Sequence, residues 1–331
     1  RAVAPSRGLG DVYKRQVVFD KTGTITVGKP QVTDIVGDEA QVLQIAASLE
    51  DSSEHPLAAA ILARAKTAKI NAKAVDQFQA IEGKGVSAII DGKHGFVGNH
   101  KLLADLKFDN DLAQQEIKLQ NEAKTVVFVG LDDRIIGMIA IQDVPKETSK
   151  EAIAELKARG LKTVMLTGDN ERVAQAVAEQ VGIDEVIADV LPGDKVEHVK
   201  AFQQTGKVAF VGDGINDAPA LTMADVGIAM GSGTDIAIDS GGIVLVKNDL
   251  RDVDKALALS RKTFNRIKLN LFWAFIYNVL GIPVAAGIFF TIGFTLSPEL
   301  AGLAMAFSSL SVVMSSVLLN KAKIKSKVRL A

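Results

Sequence analysis

The sequence holds no cysteine among its 331 residues. That absence excludes a disulfide framework, a thiolate zinc site and a cysteine nucleophile, and it fits a reducing compartment. Any soft-metal chemistry must then fall to methionine. Charge of one sign is missing as well: Lys+Arg number 38 against Asp+Glu 39, a formal net charge of -1. The chain as a whole is neither a basic nucleic-acid arm nor an acidic tail, and no nucleic-acid partner is expected. No cleavable secretory signal is expected, because Arg1 to Gln16 carry five charges and no apolar core.

What the chain has in excess is apolar. Hydrophobic residues make up 48%, a little above the ordinary globular range, while charged residues stay at 23%. The length allows two or three domains at about 100–200 residues each, so disorder is excluded as the dominant state. The excess gathers in two uncharged runs, Leu269 to Phe290 and Leu300 to Leu319. Both are long enough to cross a hydrocarbon core of about 30 Å as helices. Thr291 to Glu299 between them is too short for anything but a hairpin turn. Lys255, Arg261, Lys262, Arg266 and Lys268 precede the first run, and Lys321, Lys323, Lys325, Lys327 and Arg329 follow the second. The positive-inside rule puts both outer ends in the cytoplasm.

Upstream, short β-branched runs alternate with helical patterns. Val17 to Asp20, Thr163 to Thr167 and Val208 to Gly212 read as strands ending in Asp or Thr beside Gly. This is the grammar of a parallel α/β sheet, whose ligands gather at the carboxyl ends of the strands. From Ile35 to about Ile139 the pattern changes: helical stretches Ala40 to Glu50 and Pro56 to Lys69, then strands such as Gly85 to Ile90 and Thr125 to Val129. An α+β insertion is expected there. Glu147 to Arg159 reads as the next helix of the sheet domain, with Gly160 as its stop.

The stretch Asp20-Lys21-Thr22-Gly23-Thr24-Ile25-Thr26 puts a carboxylate at the end of a buried strand, on a Thr/Gly turn. Asp20 is placed to attack a phosphoryl group, and the crowded oxygens would then need backbone N–H groups, hydroxyls and a cation. Thr22, Gly23 and Thr24 can supply the first two. Later segments bring Thr167-Gly168-Asp169, then Lys195, then Gly212-Asp213-Gly214-Ile215-Asn216-Asp217. Asp20, Asp213 and Asp217 make an all-oxygen set suited to Mg²⁺. Without that metal and Lys195, three close carboxylates could not all stay ionised.

These residues resemble the haloacid-dehalogenase-like phosphoryl-transfer fold, a Rossmannoid parallel sheet. Asp20 to Thr26 looks like the phosphorylation signature of P-type ATPases. The resemblance implies that Asp20, Thr22, Thr167, Asp169 and Lys195 form the catalytic set. Phosphatases of the fold usually carry a second Asp where this chain has Thr22. A threonine cannot shuttle that proton, so an aspartyl-phosphate should persist. No G-x-x-x-x-G-K-[ST] or G-x-G-x-x-G occurs, which sends any nucleotide site to the insertion. There Glu50, His55, Gly83-Lys84-Gly85 and Gly98-Asn99 resemble the ATP pocket of the heavy-metal branch. By that resemblance Glu50 and His55 hold adenine, while Gly83, Gly85, Gly98 and Asn99 let the backbone approach it. Taken alone, His55 reads better as a helix cap before Pro56, and it is the company of Glu50 and the glycine pairs that turns the reading to adenine.

In the hairpin, Tyr277-Asn278 and Met305-Ala306-Phe307-Ser308-Ser309 look like the paired signatures of the copper(I)-exporting subgroup. The resemblance implies that Tyr277, Asn278, Met305 and Ser309 line the path of a transported Cu⁺ or Ag⁺. Zinc-type relatives would want a carboxylate in the last span, and Leu300 to Leu319 has none. The implied layout is a phosphorylation domain at 17–35 and 140–262, a nucleotide-binding domain at 36–139, transmembrane helices at 269–290 and 300–319, and a basic cytoplasmic tail at 320–331. Residues 1–16 depart from the resemblance and are assigned no structure. The expected whole is a multi-pass membrane pump using ATP and Mg²⁺, with this chain its C-terminal part. Its expected partners are lipid, an actuator domain and upstream membrane helices, and a soluble copper chaperone. The alternative reading is a membrane-anchored phosphatase of the same fold.

Overall fold

The structure, a computed structural model, describes residues 14–53, 55–107, 111–132, 134–213, 217–231, 242–290, 293 and 297–318. The chain divides into two compact units, Arg1–Arg251 and Asp252–Ala331.

The first unit opens with β1 (Lys14–Asp20) and a wide turn, Lys21–Ile25, and continues through β2 (Gln31–Gly37), α1 (Glu39–Glu50) and α2 (Pro56–Thr67). There follow β3 (Asp76–Ile81), β4 (Gly85–Ile90), β5 (Lys93–Gly98), α3 (His100–Leu106), α4 (Ala113–Asn121), β6 (Thr125–Leu131) and β7 (Arg134–Gln142). The chain then runs α5 (Ser149–Ala158), β8 (Lys162–Leu166), α6 (Glu171–Val181), β9 (Glu185–Ile187) and α7 (Lys195–Thr205). It ends with β10 (Gly206–Gly212), α8 (Ala218–Met223), β11 (Val226–Met230) and β12 (Ile243–Leu245).

Six strands form one wholly parallel sheet in the order β12-β11-β10-β1-β8-β9. Helical crossovers cover both faces of such a sheet, which is why Val17, Val18 and Phe19 form a continuous apolar run and are all buried. Helix α6 shows the local logic. The Asn170 side chain caps its start by accepting from Val173 N, and Val173, Ala174, Val177, Ala178 and Val181 recur on one buried stripe. Gly182 ends it at φ +83°. Gly160, at φ +77° just past α5, acts as the expected stop.

The other six strands form an antiparallel sheet, order β2-β7-β6-β5-β4-β3. One face packs on α1 and α2 through Leu43, Leu49, Ile61 and Ile139; the other meets α3 and α4 through Phe96, Leu102, Phe128 and Met138. This is the expected α+β insertion. Two chain crossings join it to the parallel sheet, paired by Thr26 with Pro145 and by Val27 N donating to Val144 O at 3.0 Å.

Several bounds differ from the sequence reading. The strand expected at Val17 begins at Lys14, since its charged first residues still pair in parallel with Gly206 and Lys207. Residues 14–16, read as lacking structure, therefore belong to the sheet; residues 1–13 lie outside the described residues, as does 319–331, which includes the basic tail.

The run read as a span from Leu269 to Phe290 falls largely in one helix, α9 (Arg251–Ala285), which begins before that run and stops short of Phe290. Hydropathy marks where a helix can meet lipid, and charged residues do not stop one. The stop comes at Gly287, φ +89°, where Gly287 N donates to Val284 O and Ile288 N to Pro283 O. The second span, read as Leu300 to Leu319, is α10 (Pro298–Val317), with Pro at its first position. Among the described residues α9 is the one helix long and apolar enough to cross a membrane, and α10 contributes the shorter apolar stretch Ala306–Val317. Arg266 Nη1 donates to Ser315 Oγ at 3.1 Å and Asn270 Nδ2 to Ser316 Oγ at 3.0 Å, joining the two helices.

Candidate active site

At the carboxyl edge of the parallel sheet, Asp20 ends β1, the central strand. Asp213 follows β10 on one side and Thr167 follows β8 on the other. The turn after Asp20 is shaped by Gly23 at φ +72°, where a Cβ would lie 1.8 Å from Asp213 Oδ2. Only glycine lets Asp213 come that near. Lys195, the first residue of α7, donates from Nζ to Asp20 Oδ1 and to Asp217 Oδ1, each at 2.7 Å. Carboxylate oxygens of Asp20, Asp213 and Asp217 lie within 4.8 Å of one another. Residues 214–216 of the Asp-Gly motif lie outside the described residues.

The electrostatics of this cluster show a shortage of positive charge. Burial, then the Asp217 charge, pushes the Asp20 carboxyl up to about 7, with Lys195 opposing. Burial and Asp217 likewise push Asp213 up to about 6. Lys195 is held above its ordinary value: burial works against its charge, and attraction to Asp20 and Asp217 overcomes it. Two buried carboxylates, one half-buried carboxylate and one ammonium would be balanced by a hard dication with oxygen ligands. The donor set fits Mg²⁺.

Thr22 stands exposed on the turn, while the buried Thr24 hydroxyl finds no partner among the described residues. Thr167 and Asp169 form a neighbouring network. The Asp169 carboxylate is paired with Lys21 and accepts from Thr125 Oγ1 at 3.2 Å and Thr167 Oγ1 at 3.3 Å. Burial would raise that carboxyl, but Lys21 holds it below the usual range. The structure thus brings together Asp20, Lys195, Asp213 and Asp217, and puts Asp169 with Lys21.

In the insertion, Glu50 and His55 share the α1–α2 corner. Glu50 Oε2 is buried without a hydrogen-bond partner, and burial raises its carboxyl against a hydrogen bond from Ser53. His55 Nδ1 accepts from Leu57 N at 3.2 Å, so the imidazole caps α2. Gly83, Gly85, Gly98 and Asn99 form a second knot. Gly85 pairs with Gly98 across β4 and β5, and a Cβ at Gly85 would lie 2.1 Å from Val97 O. Asn99 Nδ2 donates to Gly83 O at 2.9 Å.

The haloacid dehalogenase-like hydrolase family matches residues 14–225. A probable copper-exporting P-type ATPase of Archaeoglobus fulgidus is 52% identical over 309 residues, 92% of this chain and 38% of that protein. The catalytic domain of the CPx-ATPase CopB-B is 34% identical with a TM-score of 0.58, covering 73% of this chain and 88% of that one. The chain belongs to the haloacid dehalogenase-like family, in its heavy-metal P-type ATPase branch. Other relatives of the branch differ in the ion their names carry. A probable copper-importing P-type ATPase A of Enterococcus hirae is 47% identical over 322 residues, 96% of this chain and 43% of that protein. A zinc-transporting PIB-type ATPase is 36% identical, with a TM-score of 0.65 over 93% of this chain and 50% of its own. The chain therefore spans less than half the length of the curated relatives it matches.

On the hairpin of this heavy-metal P-type ATPase chain, Tyr277 packs beside Trp273 with ring centroids 6.5 Å apart, and Asn278 Nδ2 donates to Ala274 O at 2.9 Å. Met305 is on α10, with its side chain outside those described.

The sequence reading missed four residues that shape the site. Lys21 is one. Thr125 is another, a strand residue whose hydroxyl reaches the parallel sheet. Asp143 accepts from Thr26 Oγ1 at 2.6 Å, Gly28 N at 3.0 Å and Lys29 N at 3.1 Å. Lys146 donates to Gly23 O at 2.5 Å, and burial lowers its pKa to about 8. Only Lys21 carried a signal in the sequence, through its place beside Asp20.

Proposed function

We propose that the chain carries the catalytic part of an ATP-driven pump for a soft monovalent metal ion, copper(I), working through an aspartyl-phosphate at Asp20. The observation that supports this best is the buried Asp20–Lys195–Asp217 arrangement at the end of β1, with Asp213 admitted by Gly23. Asp20 attacks the γ-phosphorus of ATP. The bond from its carboxylate oxygen to phosphorus forms as the bond to the ADP oxygen breaks, and ADP leaves with the electron pair. Lys195 neutralises charge on the nucleophile and on the incoming phosphoryl oxygens, and the Lys21–Ile25 turn offers backbone N–H groups. Mg²⁺ held by Asp20, Asp213 and Asp217 would supply charge neutralisation at the same oxygens. Thr22 gives no proton shuttle, so the acyl phosphate outlives the transfer. Glu50, whose orphaned oxygen can accept from an exocyclic amine, and His55 hold the adenine; Gly83, Gly85, Gly98 and Asn99 line its approach.

In this reading 17–35 and 140–262 form the phosphorylation domain and 36–139 the nucleotide-binding domain. The segments 269–290 and 300–319 lie in a plasma or inner membrane, with the catalytic domains and the 320–331 tail in the cytoplasm. The moving ion meets Tyr277, Asn278, Met305 and Ser309. Relatives about half identical carry copper in their names, whereas the zinc-transporting neighbour is 36% identical. The uncharged span from Leu300 to Leu319 offers a thioether and hydroxyls, which suit a soft monocation and neutralise a dication poorly. Silver(I) meets the same chemistry. Lipid, an actuator domain with further membrane helices, and a soluble copper chaperone complete the set of partners.

With Mg²⁺ and ATP labelled at the γ-phosphate, the wild type should trap an acid-stable, hydroxylamine-labile phosphoenzyme, and Asp20→Asn should abolish it. Label that survives the substitution, or that turns over quickly to free phosphate in the wild type, would favour the phosphatase reading.

A further inference from the structure

We propose that Lys146 is a positioning residue that ties the Thr22–Gly23–Thr24 turn beside Asp20 to the loop leading into α9. The inference rests on the phosphoryl-transfer reading of Asp20, and adds to it a route by which that site is felt at the root of the long apolar helix.

Lys146 lies just past β7, where the chain returns from the antiparallel sheet to the parallel one. Its backbone N donates to Ile25 O at 3.0 Å, and Ser149 Oγ donates to the same carbonyl at 2.7 Å, so the residue is pinned against the catalytic turn. From that anchor Nζ reaches two segments far apart in sequence. It donates to Gly23 O and to Asn248 Oδ1, each at 2.5 Å. Both acceptors are neutral oxygens. An ammonium with several donors can hold both at once, which a singly pairing side chain could not.

Each acceptor sits where a small shift is passed on. Gly23 is the residue whose missing side chain admits Asp213, so a displaced Gly23 peptide moves the floor under that carboxylate. Asn248 is exposed, between β12 and α9, and the residues after it are clamped. Leu250 is fully buried, and Asp249 Oδ2 pairs with Arg251 Nη2 at 2.7 Å. Arg251 Nη1 in turn pairs with Glu151 Oε2 on α5 at 3.2 Å. Movement at Asn248 therefore reaches Arg251, the first residue of α9, with little slack. Lys146 is the single side chain bonded to both the catalytic turn and this loop among the described residues.

The test is hydrogen–deuterium exchange on the whole 331-residue chain in detergent micelles, with and without Mg²⁺ plus beryllium fluoride, a mimic of the acyl phosphate. In the wild type, exchange at residues 20–26 should slow by about tenfold or more on adding the mimic, and exchange at 246–255 should change with it. Lys146→Met should keep the response at 20–26 and lose the response at 246–255, and Lys146→Arg should restore it. Asn248→Ala removes the other arm from an exposed loop, leaves the core untouched, and should give the same loss. A response at 20–26 with 246–255 unmoved in the wild type, or moved equally in Lys146→Met and Asn248→Ala, overturns the link alone. No response at 20–26 in the wild type overturns the phosphoryl-transfer reading beneath it.

Discussion

Replacing Lys195 with methionine should destabilise the first unit by an amount that grows with pH. Lys195 bridges Asp20 and Asp217 at 2.7 Å each, with side-chain exposures of 11%, 10% and 2%. Methionine fills similar space but leaves two close, buried carboxylates without their cation. Removing one partner of a buried pair typically costs about 3–5 kcal/mol, which for a unit of this size lowers the melting temperature by roughly 6–20 °C. The sign of the pH dependence follows from Asp20. Its folded pKa, about 7, is above its unfolded value of 3.8, so the folded state keeps a proton the unfolded chain has lost. That contribution favours folding at low pH and is lost as pH rises through about 7. Without Lys195 the same carboxyl titrates higher still, so above neutrality the variant's folded state holds about one proton more than the wild type's. The deficit should then widen by about 1.4 kcal/mol per pH unit above pH 7 and level off at its smallest below about pH 6, where both folded forms are protonated. Millimolar Mg²⁺ should recover part of the loss by returning positive charge to the cluster. Thermal unfolding by circular dichroism in micelles at about pH 6 and pH 8, with and without Mg²⁺, reads all three effects. A variant that melts with the wild type at both values, or whose deficit shrinks as pH rises, refutes the claim that Lys195 balances these carboxylates.

Gly23→Ala should put a Cβ against Asp213 Oδ2 at a position of φ +72°, losing phosphoenzyme by roughly tenfold or more while unfolding shifts by only about 1–3 kcal/mol; full labelling in the variant would show that Asp213 has room to retreat. His55 serves as both cap and ring, and two substitutions separate these: His55→Asn keeps a capping side chain, while His55→Ala removes cap and ring together. Both should weaken ATP binding by about two- to tenfold in titration calorimetry, but only His55→Ala should also lower stability, by about 1 kcal/mol; unchanged ATP affinity in both returns His55 to its role as a cap. In a full-length pump, Met305→Ala should abolish copper(I)- and silver(I)-stimulated ATP hydrolysis, and stimulation of the wild type by zinc(II) alone would overturn the soft-ion assignment.

Much of the site could be read from the sequence because its parts are local. Val17-Val18-Phe19 announces a buried strand, Asp20 ends it, and Thr22-Gly23-Thr24 turns the chain, all within one short stretch. Asp213 and Asp217 follow the same rule at β10. Pairing across the fold could not be read. Nothing in the sequence around Asp169 says that its carboxylate turns to Lys21 and Thr125, because that depends on the register of β8 and on how the antiparallel sheet meets it. Lys146 and Asp143 are ordinary charged residues until Thr26 and Pro145 pair and bring them to the turn. The glycines carry a second demand. Gly85 and Gly98 read as room for a ligand, and each also faces the other across a strand pair where a Cβ would strike backbone, so the fold itself requires them too. The bounds of α9 differ from those of the apolar run because apolar character reports where a helix can meet lipid, while Gly287 marks where it stops.

The same charge deficit links chemistry to conformation in the proposed cycle. Before transfer, Lys195 is shared between Asp20 and Asp217, and the excess negative charge shows in carboxyls raised to about 7 and about 6. Transfer converts the Asp20 carboxylate into a neutral acyl oxygen and adds a phosphoryl group carrying about two negative charges. Lys195 then has to divide itself between Asp217 and that group, and the Gly23 peptide has to accommodate phosphoryl oxygens where Asp213 already fills the space a side chain would need. With Thr22 unable to relieve the load by hydrolysis, the strain at the turn lasts as long as the acyl phosphate does. Only a segment bonded to the turn can respond, and Asn248 before α9 is held there through Lys146. A phosphatase has no use for such persistence; an ion pump, which must hold a chemical state while a membrane helix moves, depends on it.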